Sequence, residues 1–180
     1  TPTDCVIIAL NQIMERCRPD LLLSGINRGV NIAEDITYSG TVGAAYEATI
    51  AGVRAIAFSQ ELSTTAKIDW SSARENVGAV IQRLYNKDWK PDCLLNVNFP
   101  KQINGAGQIK FSFQGRHKQG DEIALISNSP RKKSYRIGAV KFNKSVQENS
   151  DVEALRKGFI SVTPISINHT DTAFKKSLEN

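Results

Sequence analysis

The chain has 180 residues, a formal net charge of +5 at pH 7 and 41% hydrophobic residues. These values are ordinary for a globular domain, and they exclude a disordered tail, a collagen-like fibre and a coiled coil. No apolar run approaches the ~20 residues of a membrane span, and the opening residues mix charged and apolar types, so we expect neither a membrane segment nor a signal peptide. Three cysteines without metal-type spacing favour a reduced, cytoplasmic protein.

The first predicted element is an amphipathic helix at the start of the chain. Thr1 is a suitable N-cap, Pro2 occupies the first helical position, and Asp4 stands where a capping-box acid belongs. Apolar residues recur at helical spacing over Val6–Cys17, and Pro19 prevents continuation. Because the chain opens without Met directly into this helix, we expect an N-terminal part of the domain to be missing.

Short apolar runs and helical patterns then alternate along the chain. The predicted strands are Asp20–Ser24, Val53–Phe58 and Pro91–Asn98. The predicted helices run from Thr41 to Gly52, a typical C′ residue, and from Ile68 to Leu84. Continuous apolar strands are typical of parallel sheets that are buried on both faces. The pattern therefore predicts an α/β domain with right-handed crossovers.

The pattern changes after Pro100. Shorter, more polar strands are predicted at Ile109–Phe113, Glu122–Ser127 and Ser134–Val140. We interpret residues 101–145 as an antiparallel extension within one domain of residues 1–180. The remaining predictions are a short helix over Asp151–Lys157, a strand over Phe159–Ile165 that Pro164 ends or places at an edge, and a helix in the last ten residues.

Basic residues crowd one stretch of the extension, namely Arg131, Lys132, Lys133, Arg136, Lys141 and Lys144. Such a patch permits a nucleic-acid partner, whose binding would weaken with salt. No RNA-binding signature accompanies it, so we favour a solvated hairpin and expect no nucleic-acid partner.

Two motifs between the first strand and the second helix form the candidate site. They read Ser24-Gly25-Ile26-Asn27-Arg28-Gly29-Val30-Asn31 and Tyr38-Ser39-Gly40-Thr41. Ligands bind at the carboxyl edge of open α/β sheets, and a helix N-terminus presents unpaired N–H groups and about half a positive charge. Ser39, Gly40 and Thr41 are therefore a candidate phosphate cradle. They are also ordinary capping residues, and Asn27 and Asn31 can satisfy their own loop, so both interpretations stay open on these residues alone.

Several familiar catalytic motifs are absent from the sequence, among them the P-loop, the glycine-rich dinucleotide motif, H-E-x-x-H and G-x-S-x-G. The two histidines, His117 and His169, are far apart, and we interpret both as surface or packing residues.

Taken together, the motifs resemble the SurE (survival protein E) family of nucleotidases. The matching segments are Thr1-Pro2-Thr3-Asp4-Cys5-Val6, Pro19-Asp20 followed by Ser24-Gly25-Ile26-Asn27 with Gly29 and Asn31, Tyr38-Ser39-Gly40-Thr41-Val42, Leu95-Asn96-Val97-Asn98-Phe99-Pro100, Arg116-His117, and Gly158-Phe159-Ile160-Ser161-Val162-Thr163-Pro164. They occur in the family's order and cover nearly the whole chain.

The resemblance implies a Rossmann-like α/β sheet flanked by helices, with an antiparallel β-hairpin extension and a C-terminal oligomerisation element. It implies a 5′-nucleotidase that hydrolyses nucleoside monophosphates with one Mg²⁺ or Mn²⁺ ion, and it leaves 3′-monophosphates and polyphosphate open as substrates. It also implies a cytoplasmic homodimer or homotetramer. By the same resemblance Asn27 is a metal ligand, Asn31 is catalytic, and Asn31, Ser39, Gly40 and Thr41 bind phosphate.

The sequence departs from the family in its acids. The family's adjacent N-terminal aspartates and its upstream serine, which complete the metal site, have no counterpart here. Asn168-His169-Thr170 stands where the family usually has an acid and then a threonine. A single neutral amide does not hold a divalent cation in water, so we expect this chain alone to be inactive. The alternative is a non-catalytic phosphate- or nucleotide-binding module.

Overall fold

The structure is a computed structural model that describes residues 1–62, 69–104, 108–142 and 145–179. The α-helices of the described residues are α1 (Pro2–Ile8), α2 (Gly40–Ile50), α3 (Ser71–Tyr85), α4 (Asp151–Arg156) and α5 (Thr172–Leu178). The strands are β1 (Leu21–Arg28), β2 (Arg54–Gln60), β3 (Cys93–Phe99), β4 (Ile109–Phe111), β5 (Lys118–Ser129), β6 (Lys132–Phe142) and β7 (Ile160–Ser166). A π-helical turn, Ala9–Ile13, follows α1, and a 3-10 helix, Ala33–Tyr38, precedes α2.

Five strands form the central sheet in the order β1-β2-β3-β7-β4. The first three strands are parallel, β7 runs antiparallel to β3, and β4 is parallel to β7. The carboxyl ends of β1, β2 and β3 therefore meet at one edge, where open α/β sheets bind ligands. This α/β architecture confirms the predicted fold class.

Helices cover both faces of the sheet. On one face α2 lies close to the strands because Ala44, Ala45 and Ala48 are small, and all three are buried in a cluster that includes Leu94. On the other face α3 contributes Leu84 to a cluster with residues such as Phe58, Phe99 and Val162. Burying these apolar side chains is the main force that holds the layers together.

Several element boundaries match the sequence predictions and others do not. The Thr1–Asp4 capping box and the left-handed Gly52 after α2 are confirmed. The first strand is longer than predicted, since β1 continues through the motif to Arg28. Helix α1 is shorter, because it passes at Ala9 into the π-helical turn. Helix α3 begins at Ser71, and the predicted start at Ile68 lies outside the described residues.

The antiparallel extension is smaller than expected. Strands β5 and β6 pair as a separate two-stranded sheet, but β4 joins the central sheet beside β7. The assignment of Ile109–Phe113 to the antiparallel extension was therefore wrong, because Ile109, Lys110 and Phe111 find parallel partners on β7. Arg131–Lys133 lies at the exposed end of the β5–β6 hairpin. Residues 105–107 and 143–144, including the basic Lys144, lie outside the described residues.

The structure confirms the predicted types of the C-terminal elements, since α4 and α5 are helices and β7 is a strand. Pro164 lies inside β7, beyond the three residues that pair with β4. A proline is tolerated there because the strand is at an edge on that side. No helix among the described residues has both the length and the apolar character needed to cross a bilayer.

Candidate functional site

The carboxyl ends of the parallel strands bring three polar residues into register. Asn27 on β1 lies opposite Ser59 on β2, and Ser59 lies opposite Asn98 on β3. Ser59 and Asn98 are fully buried, as is Asn96 two residues earlier on β3. Buried polar side chains need hydrogen-bond partners, so this edge of the sheet is built around polar contacts.

Asn31 is the common hydrogen-bond partner of Ser59, Asn96 and Asn98. Its backbone N–H donates to Asn98 Oδ1 at 2.8 Å, and its carbonyl oxygen accepts from Asn96 Nδ2 at 2.7 Å and Asn98 Nδ2 at 3.1 Å. Its side-chain Nδ2 donates to Ser59 Oγ at 2.7 Å. The loop after β1 is thus fixed to β2 and β3 at Asn31, which leaves one of the two Nδ2 protons for a ligand.

Gly25 allows β1 to approach β2 closely. Its φ of +134° is unfavourable for L side chains, and a Cβ built there would lie 2.5 Å from the Phe58 carbonyl oxygen. A cis peptide bond joins Gly25 to Ile26, and the β1–β2 register shifts between Ser24 and Asn27. The glycine of the predicted motif is therefore required by the backbone path that delivers Asn27 to the sheet edge.

Asn27 is partly buried, and its Nδ2 donates to the Gly29 carbonyl at 2.9 Å. That bond orients the side chain and leaves the carbonyl oxygen Oδ1 as the atom available to a ligand. An amide oxygen of this kind suits a hard cation.

Ser39 is the N-cap of α2. Its Oγ accepts the Val42 N–H at 3.1 Å, and the first helical bond runs from the Gly43 N–H to the Ser39 carbonyl. The capping interpretation is therefore confirmed for Ser39. The backbone N–H groups of Gly40 and Thr41 have no hydrogen-bond partner among the described residues. They stand at the positive end of the helix dipole, where anions bind.

Asn31 and Ser39 line one small cavity of about 310 Å³, together with Val30, Asp35 and Tyr38. Asn27, Gly40 and Thr41 do not line it. A second cavity of about 540 Å³ shares Ser39 with the first and extends along α2 past Tyr46 towards His169. The structure thus places Ser39 between a small polar space and a larger one.

His169 lies in the wall of the larger cavity. Its Nε2 is 3.1 Å from the Tyr46 hydroxyl, and burial raises the pKa of Tyr46. His117 is buried on a different side of the loop, beside Asp35. The interpretation of both histidines as surface or packing residues did not include these two polar contacts, which join segments more than eighty residues apart.

The loop acids Glu34 and Asp35 have different environments. Glu34 Oε2 accepts the backbone N–H groups of His117 and Lys118, each at 3.1 Å. Burial acts to raise the pKa of Glu34, but these backbone bonds outweigh it and hold the pKa below its usual value. Asp35 instead has its Oδ2 3.5 Å from His117 Nε2, and burial raises its pKa against the opposing effect of the imidazole.

Asp151, from α4, fixes the other side of the loop. It is fully buried, and it accepts the Ala33 N–H at 2.9 Å and the Gly115 N–H at 2.8 Å on separate oxygens. Burial raises its pKa, and the backbone donors oppose that shift. The only signal for Asp151 in the sequence was its N-terminal position in a predicted helix, which did not identify its role.

The described residues do not contain a group of three or more His, Cys, Asp or Glu side chains that would hold a metal ion. The donors at the site are neutral groups at Asn27, Asn31 and Ser39, and the one acid that lines the small cavity, Asp35, is paired with His117. Hard divalent cations in phosphate sites use one or two carboxylates. The described residues alone therefore do not fit a complete divalent-cation site.

Comparison with known proteins gives consistent matches. The family model described as "Survival protein SurE" matches residues 1–121. The chain is 43% identical over 181 residues to the 5′-nucleotidase SurE of Paramagnetospirillum magneticum, and the aligned region covers 99% of this chain and 69% of that protein. It is 43% identical over 176 residues to the 5′-nucleotidase SurE of Rhodospirillum rubrum, and the aligned region covers 95% of this chain and 67% of that protein.

A solved structure gives the same match. The SurE protein from Aquifex aeolicus superposes with a TM-score of 0.81 at 35% sequence identity, covering 100% of this chain and 73% of that one.

Proposed function

The chain belongs to the SurE family, and on that premise we propose that it acts as a metal-dependent phosphomonoesterase, a 5′-nucleotidase that hydrolyses nucleoside monophosphates. One observation carries the proposal: Asn31 and Ser39 line the same cavity where α2 begins. The relatives in Paramagnetospirillum magneticum and Rhodospirillum rubrum are named as 5′-nucleotidases, which supports this substrate class.

The phosphate is proposed to bind at the start of α2. The proposed donors to its oxygens are the Ser39 hydroxyl and the second Nδ2 proton of Asn31, which line the small cavity, and the N–H groups of Gly40 and Thr41, which follow Ser39 at the N-terminus of α2. Ser39 can donate its proton while its oxygen accepts the Val42 N–H, so capping and phosphate binding are compatible. Donors fixed before the reaction stabilise the charge that develops on the phosphoryl oxygens.

The nucleoside is proposed to occupy the larger cavity. That space begins at Ser39, so a nucleoside esterified to a phosphate there extends along α2 towards Tyr46 and His169. Its polar lining, which includes Thr37, Gln114 and Asn168, can hydrogen-bond to sugar hydroxyls and base edges.

Metal dependence is proposed on family membership, with Asn27 as one ligand through Oδ1. When bound, a divalent cation would polarise the phosphoryl oxygens and lower the pKa of a bound water. Asn27 Oδ1 is the one ligand proposed for the cation, because the described residues do not contain a group of three or more His, Cys, Asp or Glu side chains that could hold it. The proposed compartment is the cytoplasm, which suits the free thiols of Cys5, Cys17 and Cys93.

A non-catalytic nucleotide-binding module is the second candidate, and it is favoured because the described residues do not contain a group of three or more His, Cys, Asp or Glu side chains that could hold a metal ion. Phosphate release from a panel of nucleoside 5′-monophosphates, measured with Mg²⁺, with Mn²⁺ and with a chelator, separates the two. The product of the complete coding sequence should release phosphate with a cation and stop with the chelator. Saturable nucleotide binding without release would establish the binding module instead.

A further inference from the structure

The second acid of the site loop has no role in the function proposed so far. Asp35 lines the small cavity together with Asn31 and Ser39, the two side chains that are proposed to bind the phosphate. Its neighbour Glu34 does not compete for this role, because the Glu34 carboxylate is committed to the backbone N–H groups of His117 and Lys118.

The side chain of His117 lies next to that of Asp35. The two side chains approach within 3.5 Å, between Oδ2 of Asp35 and Nε2 of His117. The imidazole is 9% exposed and the carboxyl group 36% exposed, so the imidazole is the enclosed member of the pair and the carboxyl group the one that reaches open space. An acid in the cavity with a buried base behind it is an arrangement that can exchange a proton with a ligand.

The backbone around the pair is fixed on both sides. Gln114 Nε2 donates to the Ala33 carbonyl at 2.9 Å, and Asp151 accepts N–H groups from both Ala33 and Gly115. These bonds join the loop that carries Asp35 to the segment that carries His117. The distance between the two side chains is thus set by the fold, as a positioned proton donor requires.

We propose that Asp35, positioned by His117, is the general acid that protonates the departing nucleoside oxygen. The inference rests on the proposed nucleotidase function. Water attacks phosphorus, the P–O ester bond breaks with its electron pair on the nucleoside oxygen, and the proton of the Asp35 carboxyl group moves to that oxygen. The proton of the attacking water leaves with phosphate or solvent, and solvent then reprotonates Asp35. Nucleoside monophosphate and water thus give nucleoside and phosphate.

The charges around Asp35 set its proton affinity. Burial and the negative charge of Glu34 raise the pKa of Asp35, and His117 lowers it. The adjoining segments contribute three further ionisable groups. Asp151 accepts the backbone N–H of Ala33. The Arg116 side chain lies 3.9 Å from Glu34, and Lys118 Nζ lies 5.5 Å from the exposed Tyr38 ring. The net result of burial is a carboxyl group that retains its proton at higher pH than an exposed aspartate does.

The test compares two leaving groups in the product of the complete coding sequence. A nucleoside alkoxide is a strong base that needs a proton to leave, whereas p-nitrophenolate is a weak base that leaves without one. Asp35→Asn should lower kcat for nucleoside monophosphates by on the order of 10²–10⁴ and leave kcat for p-nitrophenyl phosphate within a few-fold of the wild type. The variant should also lose the fall in nucleotidase kcat towards high pH.

Two further variants complete the design. His117→Gln should lower nucleotidase kcat less than Asp35→Asn and shift the high-pH limb of the profile, as a positioning residue does. Asp92→Asn removes an exposed carboxylate at the opposite end of the sheet, and it should leave kcat unchanged for both substrates. If Asp35→Asn lowers kcat equally for both substrates, or lowers it for neither, the proposed role of Asp35 is overturned. Failure of the wild type to release phosphate from either substrate would instead overturn the proposed function.

Discussion

Ser39 caps α2 through its side-chain oxygen and also lines the small cavity, so under the proposed function one side chain has two tasks. We expect Ser39→Ala to lower kcat by on the order of 10²–10³, the loss typical of one positioned donor. The variant should also lose about 1 kcal/mol of unfolding free energy through the missing cap. Steady-state kinetics and urea unfolding measure the two effects separately.

The matched control for Ser39→Ala is Asp171→Ala. Asp171 caps α5 by accepting the N–H groups of Ala173 and Phe174, and it lines neither of the two cavities of the site. Its removal should reduce stability through the same capping loss without changing turnover. If Ser39→Ala behaves like Asp171→Ala, the side chain is a cap and not a phosphate ligand.

Two glycines with positive φ allow steric conflict to be separated from backbone strain. Gly25 and Gly29 have φ of +134° and +110°, but only at Gly25 would a Cβ meet an atom, the Phe58 carbonyl oxygen at 2.5 Å. Gly29→Ala should therefore cost about 1–3 kcal/mol from backbone strain alone, and Gly25→Ala should cost more. Thermal or urea unfolding of the two variants checks the order, and a smaller loss at Gly25 would contradict the close packing of β1 on β2.

At the level of elements, α4 is fixed to β4 by the Glu153 carboxylate. It accepts Lys157 Nζ at 2.7 Å, Lys110 Nζ at 2.9 Å and the Asn149 N–H at 2.7 Å, and these bonds lower the pKa of Glu153 to about 2. Because this pKa lies below the unfolded value of about 4.3, the carboxylate stabilises the fold above that pH. The stabilisation is lost as the pH falls from about 4.3 through about 2.

Glu153→Gln should therefore reduce the unfolding free energy at neutral pH and flatten its decline below about pH 4.3. Urea unfolding at a series of pH values measures this. Glu75→Gln, on the exposed surface of α3, is the control and should leave the profile unchanged. Parallel profiles for wild type and Glu153→Gln would show that the ion pairs do not couple α4 to β4.

Local signals predicted most of these elements, since capping residues and hydrophobic periodicity act within one helix or strand. The Thr1–Asp4 box and Gly52 are examples. The extension of β1 to Arg28 was not predictable in this way, because its polar residues are explained only by their partners Ser59 and Gln60 on β2. Strand β4 was misassigned for the same reason: only its pairing with β7 shows which sheet it joins.

In the candidate site, too, the sequence predicted the residues that are near one another in the chain and did not predict the distant ones. The motif residues Asn31 and Ser39 line the same cavity, as the motif suggests, because only seven residues, including the 3-10 helix Ala33–Tyr38, lie between them. His117 and Asp151 were not assigned to the site because they reach the loop from segments about eighty and one hundred and twenty residues away. Sequence spacing carries no information about contacts of that range.

At the scale of the whole molecule, the β5–β6 hairpin exposes apolar residues on a sheet of only two strands. Ile123 and Ile137 are cross-strand partners that are 70% and 76% exposed. An isolated hairpin is marginally stable in water, so we expect this face to lie against a second copy in a homodimer or homotetramer. Sedimentation at micromolar concentration should show a species heavier than the monomer.

Replacing Ile123 and Ile137 together with Glu should shift that species towards the monomer. Ile13→Glu is the matched control, since Ile13 is also 76% exposed but lies after α1. A monomer in the wild type, or equal dissociation by both changes, would contradict an interface on the hairpin.

The described residues do not contain a group of three or more His, Cys, Asp or Glu side chains that could hold a metal ion, and this makes a prediction for the 180-residue chain by itself. It should not hydrolyse p-nitrophenyl phosphate or nucleoside monophosphates with Mn²⁺, because Asn27 alone does not hold the cation. Metal-dependent turnover by the 180-residue chain would show that its own residues form a sufficient site.

The most direct test of the central claim is the effect of Asn31→Ala on kcat/KM for nucleoside 5′-monophosphates in the product of the complete coding sequence. Three of the four hydrogen bonds at Asn31 use backbone atoms and survive the change, so the loop should keep its position. We predict a loss on the order of 10²–10³ in kcat/KM, with the exposed Asn86→Ala variant unchanged. An Asn31→Ala enzyme as active as the wild type would contradict the placement of the phosphate at this site.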